Sequence, residues 1–495
     1  MTSTMRTLFL NPPSFEGFDG GAGARYQARR EIRSFWFPTW LAQPAALIPN
    51  SKLIDAPADD LDLKEVLQRA KGFELCIFHT STPSFDNDVK VAEALKKANP
   101  DMKIGFVGAH VAVLPEESLT LAPVIDFVAR EEFDYTLLEV AQGKPLAEID
   151  GLSFRKDDGE IQHNSDRALI NNMDALPSVI DVYKRDLVIE NYYIGYLKHP
   201  YVSIYTGRGC PARCTFCLWP QTVGGHVYRT KSAQSVVEEL VRAKQLFPQV
   251  KEFFFDDDTF TADLPRAAEI AKGLGKAGIT WSCNSRANVP YDYLKIFKDN
   301  GLRLLLVGYE SGNQQILNNI KKGIRLDIAQ EFTKNCRKLG IVIHGTFILG
   351  LPGETKETIE ESIKFACKLD VDTIQVSLAA AYPGTELYRQ AMQNKWYDEK
   401  TLVRNDGTQA SAITYPHLPA EAIEAGVKRF YSKFYARPSP IFRMLKAMAK
   451  DPVERRRRLR EGKEFLDYLR GRQKPAESRV ASAPESAPEA EKVAA

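Results

Sequence analysis

Three cysteines on one short segment are the residues of this sequence with the clearest potential for chemistry. Cys210, Cys214 and Cys217 follow the pattern C-x3-C-x2-C, directly after the glycine turn at 207–209. Three thiolates on one loop can ligate three irons of a cubane iron–sulfur cluster, and the fourth iron is then left open for a substrate. The alternative is a zinc site with His226 as the fourth ligand, although zinc sites usually combine two paired halves.

The other cysteines and the overall composition limit the class of protein. Seven cysteines is an odd number for a chain of 495 residues, which argues against a secreted disulfide framework. The remaining four lie singly in apolar stretches, and we predict that they fill the core: Cys76, Cys283, Cys336 and Cys367. With 66 basic and 64 acidic residues, the net charge of +2 gives no reason to expect a nucleic-acid partner.

The sequence shows no segment that would direct the chain into or across a membrane. The apolar run at residues 8–10 is too short for a signal peptide, and no stretch of 18 apolar residues occurs. We therefore predict a protein of the reducing cytoplasm.

Repeated strand–helix units must position the cysteine loop. Between residues 200 and 400, predicted strands start near Val202, Glu252, Ile279, Leu304, Val342 and Thr373. This spacing is close to the roughly 30 residues of one βα unit. Six such units form a barrel or part of one, and chemistry is expected on the loops that follow the strands. The cysteines follow the first strand.

The N-terminal part, residues 5–150, also alternates strands with helical patterns. Its predicted strands are Arg6–Leu10, Leu75–Phe78, Lys103–Val107 and Ile125–Ala129. Such alternation predicts a doubly wound parallel sheet, with ligands bound at the carboxyl ends of its strands. Residues 151–199 are predicted to be a connector that contains a hairpin around the turn at 157–159. The fold class is therefore α/β, with a parallel sheet followed by a partial (β/α)6 barrel.

The cysteine loop resembles the signature of the radical S-adenosylmethionine (SAM) enzymes. Its spacing, the preceding strand and the aromatic Phe216 before the last cysteine all agree with that signature. The resemblance implies a [4Fe-4S] cluster on the three cysteines, SAM chelated to the open iron, and Phe216 beside the adenine. It further implies one-electron cleavage of SAM to a 5′-deoxyadenosyl radical, with a flavodoxin or ferredoxin as electron donor.

The same resemblance assigns roles to residues after the later strands. Asp256 and Asp257 are the predicted catalytic carboxylates, which would hydrogen-bond substrate or SAM; the alternative is that they cap the next helix. Arg286 ends the third strand, where its guanidinium would pair with the SAM carboxylate. Three further positions are predicted to contact the ribose, methionine and adenine of SAM: Glu310, Ser311 and Gly350.

The N-terminal part resembles the cobalamin-binding domain that precedes the barrel in one subgroup of these enzymes. The matching residues include Thr80, Ser81, Gly108 and His110, which are the predicted cobalamin contacts. The axial-ligand motif Asp-x-His-x-x-Gly of other cobalamin proteins is absent. Two alternatives stay open: a domain that binds cobalamin without that histidine, and a domain that kept only the fold, with His110 as a hydrogen-bonded structural residue.

Two segments narrow the resemblance further. A glycine-rich stretch at 15–26 is followed by the aromatic and basic stretch 29–36, and an aromatic segment spans 430–438. Residues 5–474 are thereby similar to the radical SAM proteins of hopanoid biosynthesis, in particular those that form the cyclitol ether of bacteriohopanetetrol. This implies a hopanoid lipid substrate, bacteriohopanetetrol glucosamine, whose sugar ring is contracted to an aminocyclopentitol. We predict that 15–26 helps to close over the sugar.

Two other classes of function stay open at the level of the sequence. One is a cobalamin-dependent radical SAM methyltransferase that acts on a lipid or a secondary metabolite. The other is a non-catalytic iron–sulfur protein that kept the barrel. Cobalamin content distinguishes the first from a ring-contracting enzyme, and reductant-dependent formation of 5′-deoxyadenosine excludes the second.

The C-terminal part differs in composition from the barrel. Residues 401–474 are predicted to be a helical extension and 475–495 a disordered tail. Apolar and basic residues alternate in the extension: Phe442, Leu445 and Met448 with Arg443, Lys446 and Lys450. This pattern fits an interfacial helix with a peripheral contact to anionic membrane lipid. The alternative is a solvated helix that packs on the barrel by one apolar stripe.

Overall fold

The computed structural model describes residues 4–14, 34–397, 402 and 410–450, together with 455–456, 458–460, 462–464 and 466. The predictions for the glycine-rich stretch 15–26, for most of 29–36 and for the tail at 475–495 lie outside the described residues. Most of the segment between 450 and 474 lies outside them as well.

The first sheet of the described chain has seven strands. They are β1 (Thr7–Asn11), β2 (Ser51–Asp55), β3 (Leu75–His79), β4 (Lys103–Val107), β5 (Phe127–Ala129), β6 (Leu152–Arg155) and β7 (Ile161–His163). Their order is β2-β1-β3-β4-β5-β6-β7, with the first five parallel and the last two antiparallel. The order 2-1-3-4-5 is one of the two common doubly wound arrangements.

Two features of this sheet differ from the predicted one. The sequence did not indicate β2, whose buried Asp55 accepts hydrogen bonds from Asn11 (2.6 Å) and Tyr192 (2.8 Å). These bonds satisfy a carboxylate inside a short strand, which local sequence patterns do not predict. The hairpin around 157–159, which we assigned to the connector, forms β6 and β7 and extends this sheet.

Seven helices surround the first sheet or follow it. They are α1 (Thr39–Leu47), α2 (Leu63–Arg69), α3 (Phe85–Ala98), α4 (Ala109–Val113), α5 (Pro115–Leu121), α6 (Asp134–Ala141) and α7 (Ile180–Asp186). Four single-turn 3-10 helices lie along the described chain at Leu146–Glu148, Met173–Ala175, Ile189–Asn191 and Phe260–Ala262.

The second sheet consists of six parallel strands in sequential order. They are β8 (Tyr201–Ile204), β11 (Glu252–Phe255), β12 (Trp281–Ser285), β13 (Leu302–Glu310), β14 (Val342–Leu349) and β15 (Thr373–Leu378). A short antiparallel ladder of β9 (Gly207–Arg208) and β10 (Arg229–Thr230) flanks the cysteine loop. All six parallel strands start within two residues of the predicted positions, and the predicted α/β fold class is confirmed.

Helices connect these strands and cover the outside of the open barrel. They are α8 (Leu218–Thr222), α9 (Ala233–Leu246), α10 (Leu264–Lys276), α11 (Tyr291–Asp299), α12 (Gln314–Asn319), α13 (Leu326–Leu339), α14 (Lys356–Leu369), α15 (Glu386–Gln393), α16 (Ala420–Tyr435) and α17 (Pro438–Lys450). None of these helices, as far as the chain is described, is long and apolar enough to span a bilayer.

Helix α16 protects the edge of the barrel sheet. The backbone N–H groups of Ile374 and Val376, on edge strand β15, donate to the hydroxyls of Tyr435 (3.1 Å) and Tyr431 (2.9 Å). An uncovered edge strand leaves backbone groups open to pairing with another chain, and these two tyrosines satisfy them. The C-terminal extension therefore completes the barrel on the side where the sheet does not close.

Candidate active site

The cysteine loop is held in place by its backbone. Gly209 has φ +86°, and a Cβ there would lie 2.3 Å from the carbonyl oxygen of Val227. Only glycine therefore fits directly before Cys210. The Gln221 side-chain amide donates to the carbonyl of Cys217 at 2.7 Å and to that of Cys214 at 3.3 Å. These contacts shape the loop through its backbone, and none of the three cysteines is in a disulfide.

A cavity of about 290 Å³ lies at the carboxyl ends of the barrel strands. All three cysteines and Phe216 line it. Its other polar lining residues are Asp256, Asp258, Thr259, Asn284, Ser285, Arg286, Glu310, Lys322, Thr346, Gln375 and Ser377. Its apolar lining residues include Leu306, Phe347, Ile348, Val376 and Leu378. The structure therefore brings predicted cluster ligands and predicted SAM contacts to one space, as expected for the end of a barrel.

A buried ion pair forms one wall of this cavity. The Nζ of Lys322 lies 2.7 Å from Oε1 of Glu310, and both side chains are buried. Burial alone lowers the pKa of Lys322, but the Glu310 carboxylate outweighs it and holds that pKa above its ordinary value. The guanidinium of Arg286 donates to the Lys322 carbonyl. The wall thus places two fixed positive charges and one fixed negative charge beside the cysteines.

The backbone at this wall is strained. Glu310 has φ +63°, an uncommon conformation for a residue with a Cβ, and the pairing of β13 with β14 shifts its register between Gly308 and Glu310. A Cβ on Gly308 would lie 2.4 Å from Glu310 Oε1 and 2.9 Å from Lys322 Nζ. The chain therefore uses an irregular strand end to aim the Glu310 carboxylate into the cavity.

Asp256 is the predicted catalytic carboxylate that faces the cavity. The Tyr205 hydroxyl donates to its Oδ2 at 3.2 Å, and the side-chain amide of Asn284 donates to its Oδ1 at 3.2 Å. These donors fix the orientation of the carboxylate while one side of it stays on the cavity wall.

The structure does not bring Asp257 to the cavity. Its carboxylate is fully buried and accepts from the Thr206 backbone N–H and hydroxyl, both at 2.6 Å, and from the Tyr228 hydroxyl at 2.5 Å. Burial raises the pKa of Asp257, and these donors oppose that effect. The predicted contact with substrate or SAM does not fit this position, because every bond of the side chain supports the strand that precedes the cysteine loop. The next helix, α10, is capped by Asp263 instead.

Two other predicted SAM contacts are not among the described residues that line the cavity. The hydroxyl of Ser311 lies 3.1 Å from that of Ser362 and accepts from the backbone N–H of Asn313. Gly350 has φ +90°, and its N–H donates to the Glu354 side chain at the turn after β14. Both residues shape the strand ends, whereas Glu310 and Arg286 reach the cavity.

Sequence reasoning missed several lining residues. The alternation in β15, TIQVSL, predicts one face with Gln375 and Ser377, and that signal was available. The hydroxyl of Thr259 is buried on the cavity wall with no hydrogen-bond partner among the described residues. An orphaned hydroxyl of this kind fits a ligand that supplies the missing bond. Lys322 had no local signal, because only the tertiary fold brings it to Glu310.

The predicted cobalamin contacts lie together at the ends of β3 and β4: Thr80, Ser81, Gly108 and His110. The hydroxyls of Thr80 and Ser81 and Nδ1 of His110 lie within hydrogen-bond distance of neighbouring hydroxyls. The Ser84 hydroxyl lies 3.3 Å from that of Thr80 and 3.4 Å from that of Ser81. His110 Nδ1 lies 3.1 Å from the Thr82 hydroxyl, and burial lowers the pKa of His110 to about 4. A Cβ on Gly108 would lie 2.3 Å from the Thr80 carbonyl oxygen. These groups are thus paired within the loops, whereas both ring nitrogens of His79, buried at the end of β3, have no hydrogen-bond partner among the described residues.

Buried ion pairs join the N-terminal sheet to the cysteine loop. Arg208, two residues before Cys210, lies 2.6 Å from Asp134, which begins α6. Arg229 on β10 donates to both oxygens of Glu132, at 2.7 and 2.9 Å. All four charged side chains are buried. The segment after β5 therefore braces the ladder on which the cysteine loop rests.

The thiols suit a cluster better than a single metal ion. Among the described residues, no group of three or more His, Cys, Asp or Glu side chains is placed to hold one ion. Nδ1 of His226, the proposed fourth zinc ligand, lies near the carbonyl oxygens of Cys210 (3.3 Å) and Ala212 (3.1 Å). In a cubane each thiolate binds a different iron, so the sulfurs do not need to converge on one point.

Comparisons with known proteins agree with this geometry. A sequence profile of the Radical SAM superfamily matches residues 204–366. An uncharacterized methyltransferase from Pyrococcus horikoshii is 32% identical over 457 residues, which cover 89% of this chain and 94% of that protein. The chain belongs to the radical SAM superfamily. Membership implies a [4Fe-4S] cluster and SAM as cofactors of this radical SAM enzyme.

Two solved structures share the fold. The cobalamin-dependent SAM radical enzyme OxsB, with aqua-cobalamin and SAM bound, aligns with a TM-score of 0.68 at 15% identity, over 95% of this chain and 72% of OxsB. The radical SAM methyltransferase TsrM from Kitasatospora setae aligns with a TM-score of 0.60 at 16% identity, over 84% of this chain and 80% of TsrM. At these identities the likeness shows the fold, with its N-terminal sheet and barrel.

The residues on the cavity wall fit the cofactors of the superfamily. When bound, the cluster and SAM supply a carbon-centred radical that abstracts hydrogen from a substrate. Cys210, Cys214 and Cys217 would hold the cluster, the Arg286 guanidinium would pair with the carboxylate of SAM, and the Glu310 carboxylate would accept hydrogen bonds from its ribose. The apolar part of the wall keeps water away from the reacting atoms.

Proposed function

We propose that this enzyme binds a hydroxyl-bearing substrate inside its barrel and presents one C–H bond of that substrate for hydrogen abstraction. A row of polar side chains on the last two strands carries the proposal: Thr346, Gln375 and Ser377 face the cavity. Side chains of this kind orient a polyol by hydrogen bonds. They lie beside apolar residues, so the substrate would be held by few, directed contacts.

The resemblance noted in the sequence suggests bacteriohopanetetrol glucosamine as the substrate and contraction of its sugar ring to an aminocyclopentitol as the reaction. Glucosamine carries hydroxyl groups and an amine that is charged at neutral pH. Asp256 and Asp258 both line the cavity and would pair with that charge. The match of charge and hydrogen-bonding capacity supports this substrate class.

Cobalamin-dependent methyl transfer is the second candidate, and the comparisons support it better. The Pyrococcus relative is named a methyltransferase, TsrM is one, and OxsB binds cobalamin. At the strand ends of the N-terminal sheet, Thr80, Ser81 and His110 are engaged with neighbouring side chains. Both ring nitrogens of the buried His79 have no partner among the described residues, and a ligand bound there would satisfy them. The two candidates therefore differ in one measurable property, the cobalamin content of the active enzyme.

A deletion strain tests the substrate and the reaction together. If the proposed ring contraction is correct, its lipid extract accumulates bacteriohopanetetrol glucosamine and loses the cyclitol ether. The wild-type gene and a Cys367→Ser variant then restore the ether, and Cys214→Ser does not. An unchanged hopanoid profile would contradict this substrate. Bound cobalamin at about one per chain after anaerobic reconstitution, with a methylated product, would establish the second candidate instead.

We propose a flavodoxin or ferredoxin of the cytoplasm as the electron donor. Such donors reduce low-potential clusters in this compartment, and the thiols of this chain need a reducing environment to stay free. Replacement of dithionite by a reduced flavodoxin is expected to sustain formation of 5′-deoxyadenosine. If neither a flavodoxin nor a ferredoxin sustains it, another donor must be sought.

A further inference from the structure

Helix α17 is fixed to the barrel by its polar side. Ser439 donates to Asp370 Oδ1 at 2.6 Å, and the Arg443 guanidinium donates to both oxygens of that carboxylate, at 2.9 and 3.1 Å. Arg437, just before the helix, lies 3.0 Å from the same carboxylate. Burial raises the pKa of Asp370, but the hydrogen bonds and charges from these partners outweigh it and hold the pKa below its ordinary value. One carboxylate thus anchors the helix.

The apolar side of α17 faces away from the barrel. Ile441 is 41% exposed, Phe442 is 66% exposed and Leu445 is 58% exposed. In a helix of 3.6 residues per turn Ile441 and Leu445 lie on one face with Phe442 at its side, and Arg443 lies on the opposite face. A helix that packs on a core by an apolar stripe turns its apolar side chains inward. The exposure of Ile441, Phe442 and Leu445 does not fit that alternative.

Exposed basic residues follow this apolar face along the sequence. Lys446 is exposed at its border, and Arg455 and Arg456 are exposed further along. Leu459 and Leu466 are exposed among these basic residues, at 61% and 55%. Segment 450–474 has ten basic and five acidic residues. Exposed apolar side chains combined with excess positive charge are what an anionic lipid surface recognises.

We propose that the outward face of α17, with the exposed basic residues Lys446, Arg455 and Arg456, docks this enzyme onto an anionic membrane surface. The apolar side chains enter the boundary between headgroups and acyl chains, and the cations pair with lipid phosphates. The charge complementarity favours this occupant over a second copy of the chain, which would bring the same positive charge against itself. The proposal stands on the surface alone and does not depend on a lipid substrate.

The docked helix lies at the end of the barrel opposite the cysteine loop. Asp370 and Asp372, which contact Arg443, directly precede the start of β15, whereas the cysteines follow the carboxyl end of β8. Because the strands are parallel, these are opposite ends of one sheet. Docking by α17 would therefore leave the cluster end facing away from the lipid surface and accessible to a protein electron donor. The proposed lipid substrate would then have to leave the bilayer to enter the cavity.

Vesicle co-sedimentation of the reconstituted full chain tests the proposal. Vesicles of phosphatidylcholine with about one third phosphatidylglycerol are compared with vesicles of phosphatidylcholine alone. We expect binding to the anionic vesicles that salt weakens, and a loss of ~10-fold or more in affinity for the double variant Phe442→Ser/Leu445→Ser. Leu121→Ser is the matched control, since Leu121 is 67% exposed on α5, and it should bind as the wild type does.

The remaining outcomes overturn the proposal. Equal sedimentation of wild type and the double variant would show that α17 does not contact lipid. A dimer that the double variant converts to a monomer would show that a second copy covers the face. Binding that appears only after removal of residues 475–495 would show that the tail of this chain covers it. Formation of 5′-deoxyadenosine without vesicles should be equal in all variants, which separates this test from that of the proposed reaction.

Discussion

The two parallel sheets of this chain both place polar residues at the carboxyl ends of their strands, but the groups that they leave without a partner among the described residues differ. The N-terminal sheet leaves both ring nitrogens of His79, which is buried at the end of β3. In the N-terminal sheet the side chains of Thr80, Ser81 and His110 lie within hydrogen-bond distance of neighbouring hydroxyls. In the barrel, Thr259 has an unsatisfied buried hydroxyl, and Glu310 is held at a positive φ with its carboxylate on a cavity wall.

The comparison shows that the topology of a parallel sheet does not by itself make a binding site. Both sheets follow the rule that ligands bind at strand ends, yet a binding site also needs groups that the protein leaves for the ligand. The cysteine loop provides three such groups, because its backbone is fixed by Gly209 and Gln221 while its thiols have no disulfide partner. The N-terminal sheet supports that loop through the ion pairs of Glu132 and Asp134 with the ladder beside it, and its strand ends leave the ring nitrogens of His79 for a ligand.

Loss of one cluster ligand should have the largest effect. Cys214→Ala is expected to abolish the absorbance near 400 nm and to reduce 5′-deoxyadenosine formation at least ~1000-fold, because two thiolates do not retain a cubane with an open iron. Iron content and product formation measure this. Cys367→Ala is the control on the outside of the barrel and should retain both; a full cluster in Cys214→Ala would contradict the assignment.

Removal of the charge of Glu310 should have the next largest effect. Glu310→Gln leaves Lys322 buried without its carboxylate, which costs about 3–5 kcal/mol when a buried pair is broken. We expect a fall of ~100-fold in 5′-deoxyadenosine formation and weaker binding of SAM in equilibrium dialysis. Glu386 is the matched control, since it pairs with the neighbouring lysine, Lys321, at the surface (2.7 Å). Glu386→Gln should change either quantity less than twofold.

Loss of the ion pair between Glu132 and Arg229, which joins the N-terminal sheet to the ladder beside the cysteine loop, should lower the free energy of unfolding more than it changes the cluster. Glu132→Gln removes the partner of buried Arg229, so the free energy of unfolding should fall by about 3 kcal/mol or more. Because Arg208 on the same ladder precedes the cysteine loop, the EPR signal of the reduced cluster should also shift. Asp181→Asn, at an exposed pair with Arg242, is the control. Unchanged stability and spectrum in Glu132→Gln would show that the sheet does not brace the loop.

The pH dependence of stability, measured for the wild type and an Asp88 variant, should show the smallest effect. Burial raises the pKa of Asp88, beside the predicted cobalamin contacts, to about 7. Between its unfolded pKa near 3.8 and that value, the folded chain binds one more proton than the unfolded chain, so stability falls as pH rises. Asp88→Asn carries no such proton, and from about pH 5.5 to 7 the wild type should lose roughly 2 kcal/mol relative to it.

Asp86 offers a control on the same helical turn. Its side chain is exposed, so Asp86→Asn should leave the pH slope of urea unfolding unchanged. If the free energy of unfolding of wild type and of Asp88→Asn changes with pH by the same slope, the carboxyl group of Asp88 is ionised in the folded chain. The strand-end groups of the first sheet would then be less tightly closed than the hydrogen bonds indicate.

Much of the fold was predictable, because hydrophobic period and strand spacing are local signals. The starts of all six barrel strands and four of the first five strands of the N-terminal sheet followed from them. β2 did not, since its buried Asp55 is stabilised by Tyr192, 137 positions away in sequence. The three cysteines and Arg286 could be predicted from motif and alternation, and the structure brings them to one cavity.

The remainder of the site depends on contacts that are distant in sequence. Lys322 was not predicted but lies on the cavity wall, where it pairs with Glu310. Asp257 was predicted to face the cavity but lies away from it, because it is bound to Thr206 and Tyr228. The orientation of α17 is a third case, because amphipathicity identifies two faces but a single carboxylate, Asp370, decides which one turns outward.

Anaerobic reconstitution of the full chain tests most directly that the barrel end, with its three cysteine thiols, is the cofactor site. We predict about four iron atoms per chain, an EPR signal of the reduced cluster that changes when SAM is added, and reductant-dependent formation of 5′-deoxyadenosine. Stoichiometric zinc, no absorbance near 400 nm and no 5′-deoxyadenosine would contradict the account.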